Sequence, residues 1–239
     1  MPVLEALLDD RALVTNVVVA RNAEGDSIVR IVEQARVRGV PLQRADPQRV
    51  TRISRNGRHD QGVVARVNSP GLRDLGLWLD DHRRGPVCLI LLDGLTNPSN
   101  VGMIIRTAVA AGLDGVILPS VGSPEVGPLV VKASAGVALF APVLRAETGR
   151  HAAEALARAG VKLIGLRSTA PLSIWETEIG ARSAFVLGNE TLGISVGVAE
   201  LITNWSAIPL GGGVESLNVA SAGTVVAFEV ARRARTRQP

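Results

Sequence analysis

The run VCLILLDGL over residues 87–95 leaves the chain few choices. Its first six residues are apolar without alternation, so a strand built from them must be covered on both faces. The pattern then repeats. NPSNVGMIIRTAVAAG (97–112) has turn residues followed by helical spacing and ends at a glycine. GVILP reads as a strand, GPLVVKASAGVALFAPV as a helix and then a strand, and HAAEALARAG as a helix. VKLIGLRS, SAFVLGNE and WSAIPLG read as further strands, and 216–235 as a closing helix. Apolar strands alternating with helices predict an α/β fold, a parallel sheet with helices on both faces. Ligands of such sheets bind outside the carboxyl ends of the strands. The segments richest in glycine and small polar residues fall there: DGLTNPSN, LRSTAP, LGNETLG and IPLGGGVESLN.

The amino-terminal part reads differently. ALVTNVVVAR (12–21) is a β-branched strand, and DSIVRIVEQARVRG (26–39) places Ile28, Ile31, Val32 and Ala35 at helical spacing. VPLQRA, PQRVTRIS and QGVVARV follow as strand, short helix and strand. We expect a small α/β domain over 1–67, a linker over 68–86 with turn residues at both ends, and the larger domain over 87–239. Within the linker, 72–84 reads as a helix or tether.

Charge is distributed unevenly. Arginine supplies 24 of the 26 cations, with Lys132 and Lys162 the two lysines. Residues 36–66 carry eight arginines against Asp46 and Asp60, whereas 85–230 carries eight cations against eleven acids. Arg232, Arg233, Arg235 and Arg237 crowd the tail. Basic ends around a nearly neutral body suit a polyanion, and the planar guanidinium suits phosphate. An arginine-biased genome with an ordinary solvated surface would give the same count. Three tryptophans, three phenylalanines and no tyrosine argue against a base-stacking platform.

Other chemistries find little support. The single cysteine, Cys88, sits in an apolar run and reads as a core thiol; it excludes an intrachain disulfide and a Cys-rich zinc site. His59, His82 and His151 are isolated, and no metal-ligand cluster is seen, so no metal is expected. No glycine fingerprint of the dinucleotide or P-loop type occurs. No apolar window reaches a membrane span and no leader pattern opens the chain, so a cytoplasmic protein is expected. The strand-end loops offer Asn97, Asn100, Arg106, Glu190, Ser216 and Asn218. Arg106, in the apolar helix MIIRTAVAAG, either snorkels on the solvated side or faces the strand ends as a cation for phosphate or carboxylate. Glu190 reads equally as a cap or surface acid, and Ser216 as a plain N-cap with Asn218 in the first turn.

Three stretches together resemble the motifs of the SpoU/TrmH family of RNA ribose 2′-O-methyltransferases: NPSNVGMIIRTA (97–108), FVLGNETLGIS (185–195) and IPLGGGVESLNVASA (208–222). KASAGVALFAPV (132–143) is similar to the family's intermediate segment, and the likeness covers roughly 87–235. The amino-terminal part, ending RHDQGVVARV, looks like the small ribosomal-protein-like substrate-binding domain of many members. Leucine follows the proline of IPLG where methionine is common, and Ala220 stands where serine is frequent; neither change removes an acting polar group.

The resemblance implies a carboxyl-terminal trefoil knot, S-adenosylmethionine bound in it, and a homodimer. It implies a cofactor site formed by Leu166, Ser168, Leu187, Gly188, Asn189, Ile208, Leu210 and Leu217. The glycines of 211–213 would let the backbone approach the cofactor. It implies catalytic roles for Arg106, Asn100, Glu190, Ser216 and Asn218. Because a guanidinium is a permanent cation, Arg106 is expected to hold a phosphate and favour loss of the hydroxyl proton electrostatically, with Asn100 and Glu190 positioning Arg106 or the ribose. Arg44, Arg52, Arg55 and Arg58 are expected to meet RNA. Large-subunit rRNA is the favoured substrate, with tRNA, or a non-catalytic RNA-binding or ribosome-assembly role, as alternatives.

Overall fold

The computed structural model describes residues 2–10, 12–54, 61–68 and 72–236. The chain divides into two compact units, Met1–Pro70 and Gly71–Pro239.

In the first unit, helix α1 (Pro2–Leu8) precedes β1 (Leu13–Ala20), α2 (Asp26–Val37), β2 (Leu42–Ala45), α3 (Pro47–Ser54) and β3 (Val63–Asn68). β1 is central, parallel to β2 and antiparallel to β3, with an irregularity between Val14 and Asn16. The helical spacing of α2 buries Ile28, Ile31 and Ala35. Just beyond α2, Arg38 donates to the carbonyls of Ala6, Leu7, Asp9 and Ala12 at 3.0–3.1 Å. It thereby satisfies acceptors that the end of α1 leaves open.

The second unit holds β4 (Leu72–Asp74), α4 (Leu75–Asp81), β5 (Val87–Asp93), α5 (Pro98–Ala110), β6 (Gly115–Ile117) and α6 (Pro128–Ala133). Then come β7 (Val143–Arg145), α7 (Gly149–Arg158), β8 (Lys162–Leu166), β9 (Leu172–Ser173), β10 (Arg182–Gly188), α8 (Val196–Ala199), β11 (Asn204–Ala207) and α9 (Val219–Thr236). All eight strands pair in parallel, in the order β4-β7-β6-β5-β10-β8-β11-β9. The period of two along β5 serves both faces. Ile90 and Leu92 enter the core shared with Ile104, Ile105 and Ala227 of α5 and α9, while Leu89 and Leu91 enter the core shared with Trp78 and Leu156 of α4 and α7. A Cβ on Gly102 would come within 2.6 Å of Ala133 Cβ and of the Val130 carbonyl, so this glycine lets α5 and α6 approach.

Residues 72–81, expected as part of a linker, form β4 and α4. Asp74 caps α4 by accepting from Leu77 N at 3.0 Å, and Leu75, Trp78 and Leu79 are buried. Cys88 is half-buried between two core clusters. Burial first, and the nearby Asp114 carboxylate second, push its thiol up to about 12.

Candidate functional site

β5 and β10 lie side by side, with Asp93 paired to Gly188 at their carboxyl ends. On one flank of β5 the sheet runs to β6, β7 and β4, and on the other to β10, β8, β11 and β9. Such a reversal opens the crevice where parallel sheets bind ligands.

The three glycine- and asparagine-rich loops meet there. Asn97 starts α5 by accepting from Ser99 N at 2.9 Å, with Pro98 in the first turn. That start places Asn100 inward, where it is buried. Asn100 Nδ2 donates to Glu190 Oε1 at 2.5 Å, and Asn100 Oδ1 accepts from Asn218 Nδ2 at 3.2 Å. Asn218 Oδ1 in turn accepts from Ala220 N at 2.9 Å and Ser221 N at 3.4 Å, capping α9. The polarity of this chain of bonds is self-consistent. Glu190 Oε1 accepts, so Asn100 faces it with its amide nitrogen. That leaves its oxygen for Asn218, whose own oxygen is left for the helix amides. The cap of α9 is therefore Asn218; Ser216 lies in the loop that lines the adjoining pocket.

The turn after β10 is tightly determined. Asn189 Oδ1 accepts from Thr191 N and Leu192 N at 2.9 and 3.1 Å, and Asn189 Nδ2 donates to the Gly94 carbonyl at 3.0 Å. A Cβ on Gly188 would overlap the Gly193–Ile194 backbone. Asp93 accepts from Ser195 N at 2.6 Å and fixes the far end of the turn.

Leu166, Ser168, Leu187, Gly188, Asn189, Ile208, Leu210 and Leu217 all line one pocket at this crevice, with Glu190 and Ser216. Arg167, Gly193, Val219 and Ala222, which sequence reasoning did not single out, line it too. Ile208 is held in place from below. Thr177 Oγ1 and Ser206 Oγ are buried 2.8 Å apart, and Ile174 N donates to Ala207 O at 2.8 Å, so β11 is tied to the segment after β9. Gly212 and Gly213 have φ of +66° and +74°, with no protein atom within 4 Å of an added Cβ. Their conformation, rather than crowding by other protein groups, requires glycine there. Apolar side chains, exposed main chain and a rim of Ser168, Asn189, Glu190 and Ser216 fit S-adenosylmethionine: a flat heterocycle, a hydroxylated sugar and a charged amino-acid end.

Other expected site residues fall elsewhere. Arg106 is exposed on α5 and has no hydrogen-bond or ion-pair partner among the described residues; Asn100 is bonded to Glu190 and Asn218 instead. Arg44 donates to the carbonyls of Ala20 and Ala23 at 3.2 and 3.4 Å, Arg52 is exposed on α3, and Arg55 and Arg58 lie outside the described residues. The basic tail is partly spent within the fold. Arg232 pairs with Glu229 at 2.8 Å, and Arg233 pairs with Glu229 at 2.5 Å while donating to the carbonyls of Ile174, Trp175 and Thr177. These bonds, Arg232 foremost, hold the Glu229 carboxyl down at about 2 against the opposing effect of burial.

Comparison with known proteins agrees with this geometry. Residues 88–228 match the SpoU rRNA Methylase family, and residues 1–72 match the RNA 2′-O ribose methyltransferase substrate binding family. A 23S rRNA (guanosine-2′-O-)-methyltransferase RlmB of Xanthomonas axonopodis pv. citri is 31% identical over 97% of this chain and 93% of its own. An uncharacterized tRNA/rRNA methyltransferase of Mycolicibacterium gilvum is 32% identical over 98% of this chain and 75% of its own. Among solved structures, the SpoU methyltransferase AviRb of Streptomyces viridochromogenes, in complex with AdoMet, superposes with a TM-score of 0.75. It is 25% identical and covers 98% of this chain and 88% of its own.

Proposed function

Because the chain belongs to the SpoU rRNA methylase family, we propose that it transfers a methyl group from S-adenosylmethionine to a ribose 2′-hydroxyl of RNA, with 23S rRNA as substrate. The observation that carries this reading is Asn100, whose amide joins three of the strand-end loops beside the pocket. The relatives named as 23S rRNA 2′-O-methyltransferases support the choice of substrate.

When bound, S-adenosylmethionine supplies an electrophilic methyl group, so the protein's work is placement and management of one proton. Leu166, Leu187, Ile208, Leu210 and Leu217 would enclose the cofactor, and Gly188 and Asn189 would hold the turn that borders it. Asn100, Glu190 and Asn218 would orient the ribose for in-line attack, a proximity effect. Ser216 would contact the substrate from the same loop as Leu217. Arg106, exposed and without an internal partner among the described residues, would hold the adjoining phosphate and stabilise the oxygen as its proton leaves to a phosphate oxygen or water. We assign residues 1–67 to RNA binding, through Arg44, Arg52, Arg55 and Arg58, and the second unit, from β4 onward, to catalysis. The match of 1–72 to a substrate-binding family supports the first assignment.

We further infer a trefoil knot and a homodimer. The strand order, in which β10 enters between β5 and β8 and the chain returns beyond β8 as β11, supports the knot. Exposed Met103 on α5 and Phe228 on α9 support a second subunit covering these helices. No described helix is long and apolar enough to cross a membrane, and we place the protein in the cytoplasm with its substrate.

The test is methyl transfer from labelled cofactor to unmodified 23S rRNA and, separately, to tRNA. Label in 23S rRNA is expected. Label in tRNA alone would overturn the substrate. No transfer with intact cofactor binding would favour a non-catalytic RNA-binding or ribosome-assembly role.

A further inference from the structure

Four arginines are partly buried among the described residues: Arg38, Arg145, Arg182 and Arg233. Three are occupied by the fold. Arg38 serves four carbonyls, Arg182 donates through its two terminal nitrogens to the His82, Gly85 and Ala159 carbonyls while its Nε is buried without a partner among the described residues, and Arg233 serves a carboxylate and three carbonyls. Arg145 differs. It ends β7 and makes one side-chain bond, Nη2 to Ser120 Oγ at 3.2 Å. Its Nη1 is buried without a partner among the described residues, and so is the Oγ of Ser123, three residues beyond Ser120 in the chain. Glu125 is close enough to act electrostatically, yet no ion pair joins it to Arg145.

A half-buried guanidinium with an unused donor is costly unless water or an anion meets it. Its placement says which anion. β7 and the chain after β6 run on side by side, Leu118 N to Leu144 O, Ser120 N to Ala146 O and Val121 N to Glu147 O, so Ser120 is set beside Arg145 at the carboxyl edge of the sheet. Two residues on, a Cβ at Gly122 would lie 3.9 Å from Gly94 Cα, and Gly94 receives the Asn189 amide of the cofactor pocket. Arg145 is thus one loop away from the pocket wall. The main-chain run 120–123 with its two hydroxyls suits the tetrahedral oxygens of a phosphate.

We propose that Arg145, with Ser120 and Ser123, is a binding site for a backbone phosphate of the RNA, flanking the nucleotide presented to the cofactor pocket. The proposal rests on the reading of the pocket as the centre of an RNA methyltransferase. It adds a third anchor for the strand, besides Arg106 and the amino-terminal arginines, on the β6–β7 side of the site.

The test compares the full-length protein with R145A, R145K and the double variant S120A/S123A, using unmodified 23S rRNA fragments as probe. R145A is expected to weaken RNA binding roughly tenfold, the loss of a charge-assisted contact. The slope of log affinity against log salt should fall by about one. Binding of S-adenosylhomocysteine should stay within twofold, KM for RNA should rise more than kcat falls, and R145K should recover part of the salt slope. S120A/S123A, which removes no charge, should weaken RNA binding with the slope retained. Unchanged RNA affinity and salt slope in R145A that still binds S-adenosylhomocysteine would overturn the site. Should R145A fail to fold, unchanged RNA affinity in both R145K and S120A/S123A would overturn it equally. Absence of methyl transfer by the wild-type protein would instead strike the functional reading, so the two failures are distinguishable.

Discussion

Asn100 donates to Glu190 at 2.5 Å across ninety residues of chain, and through its oxygen it holds Asn218 as well. One amide therefore sets the relative position of three loops. Replacing Asn100 by alanine removes both bonds and frees the ribose-facing rim to shift. Turnover should fall about a hundredfold, as small misplacements at reacting centres do, while S-adenosylhomocysteine affinity stays within a few-fold. Parallel single-turnover kinetics and calorimetric titration check this. An equal loss of cofactor affinity would mean that Asn100 shapes the pocket rather than the substrate.

Gly188 is predicted to be intolerant of the smallest side chain. An added Cβ would overlap the Gly193–Ile194 backbone, which is main chain and cannot swing aside. G188A should displace the turn carrying Asn189 and Glu190. Cofactor binding should weaken markedly and stability should drop by roughly 1–3 kcal/mol, the usual range for overpacking. Thermal melts with and without S-adenosylhomocysteine separate the two effects.

Arg106 is exposed and has no internal partner among the described residues, so its removal leaves no buried group stranded. R106A should keep its melting temperature and its cofactor affinity. Its turnover should fall by about 10²–10³, the range seen when a preorganised electrostatic contact to the transition state is removed. Wild-type turnover in this variant would remove Arg106 from the mechanism.

Glu229 ties the closing helix to the segment below β11, through Arg233 and the carbonyls of Ile174, Trp175 and Thr177. Its carboxyl is lowered from 4.5 to about 2 in the folded chain. The folded value lies below the unfolded one, so the stability it contributes is present above pH 4.5 and is lost as pH falls toward 2. E229Q should be less stable at neutral pH by about 1–3 kcal/mol, because the partly buried Arg233 guanidinium loses its charged acceptor. It should also show a shallower loss of stability between pH 4.5 and 2. Denaturant melts across that range read both effects.

Much of this was legible in the residues, and the reason is physical. VCLILLD could only be a strand buried on two faces, and β5 is one. Asn97 before Pro98 marked the start of α5, and the structure places the cap there. β4 is harder to read, and 72–84 reads equally as helix or tether: a three-residue edge strand has too little pattern to show that the segment belongs to the sheet. Ser216 reads locally as the cap of α9 with Asn218 in its first turn; Asn218 takes the cap instead, and its amide is held by Asn100, a partner 118 residues away that local spacing does not reveal. The Glu229 clasp with Arg232 and Arg233 was visible as i, i+3 and i, i+4 spacing in EVARR. The basic tail nevertheless reads first as a surface for polyanions. Arg145 gave no signal at all, because a lone arginine at a strand end becomes unusual only when its neighbours fail to satisfy it.

The central claim is that the methyl group goes to a ribose oxygen and not to a base. Labelled S-adenosylmethionine, unmodified 23S rRNA and the full-length protein are incubated together, and the product is digested with alkali. A methylated 2′-oxygen cannot assist cleavage of its own phosphodiester, so the account predicts label in a single alkali-resistant dinucleotide. Label recovered wholly in mononucleotides would place the methyl group on a base and contradict it.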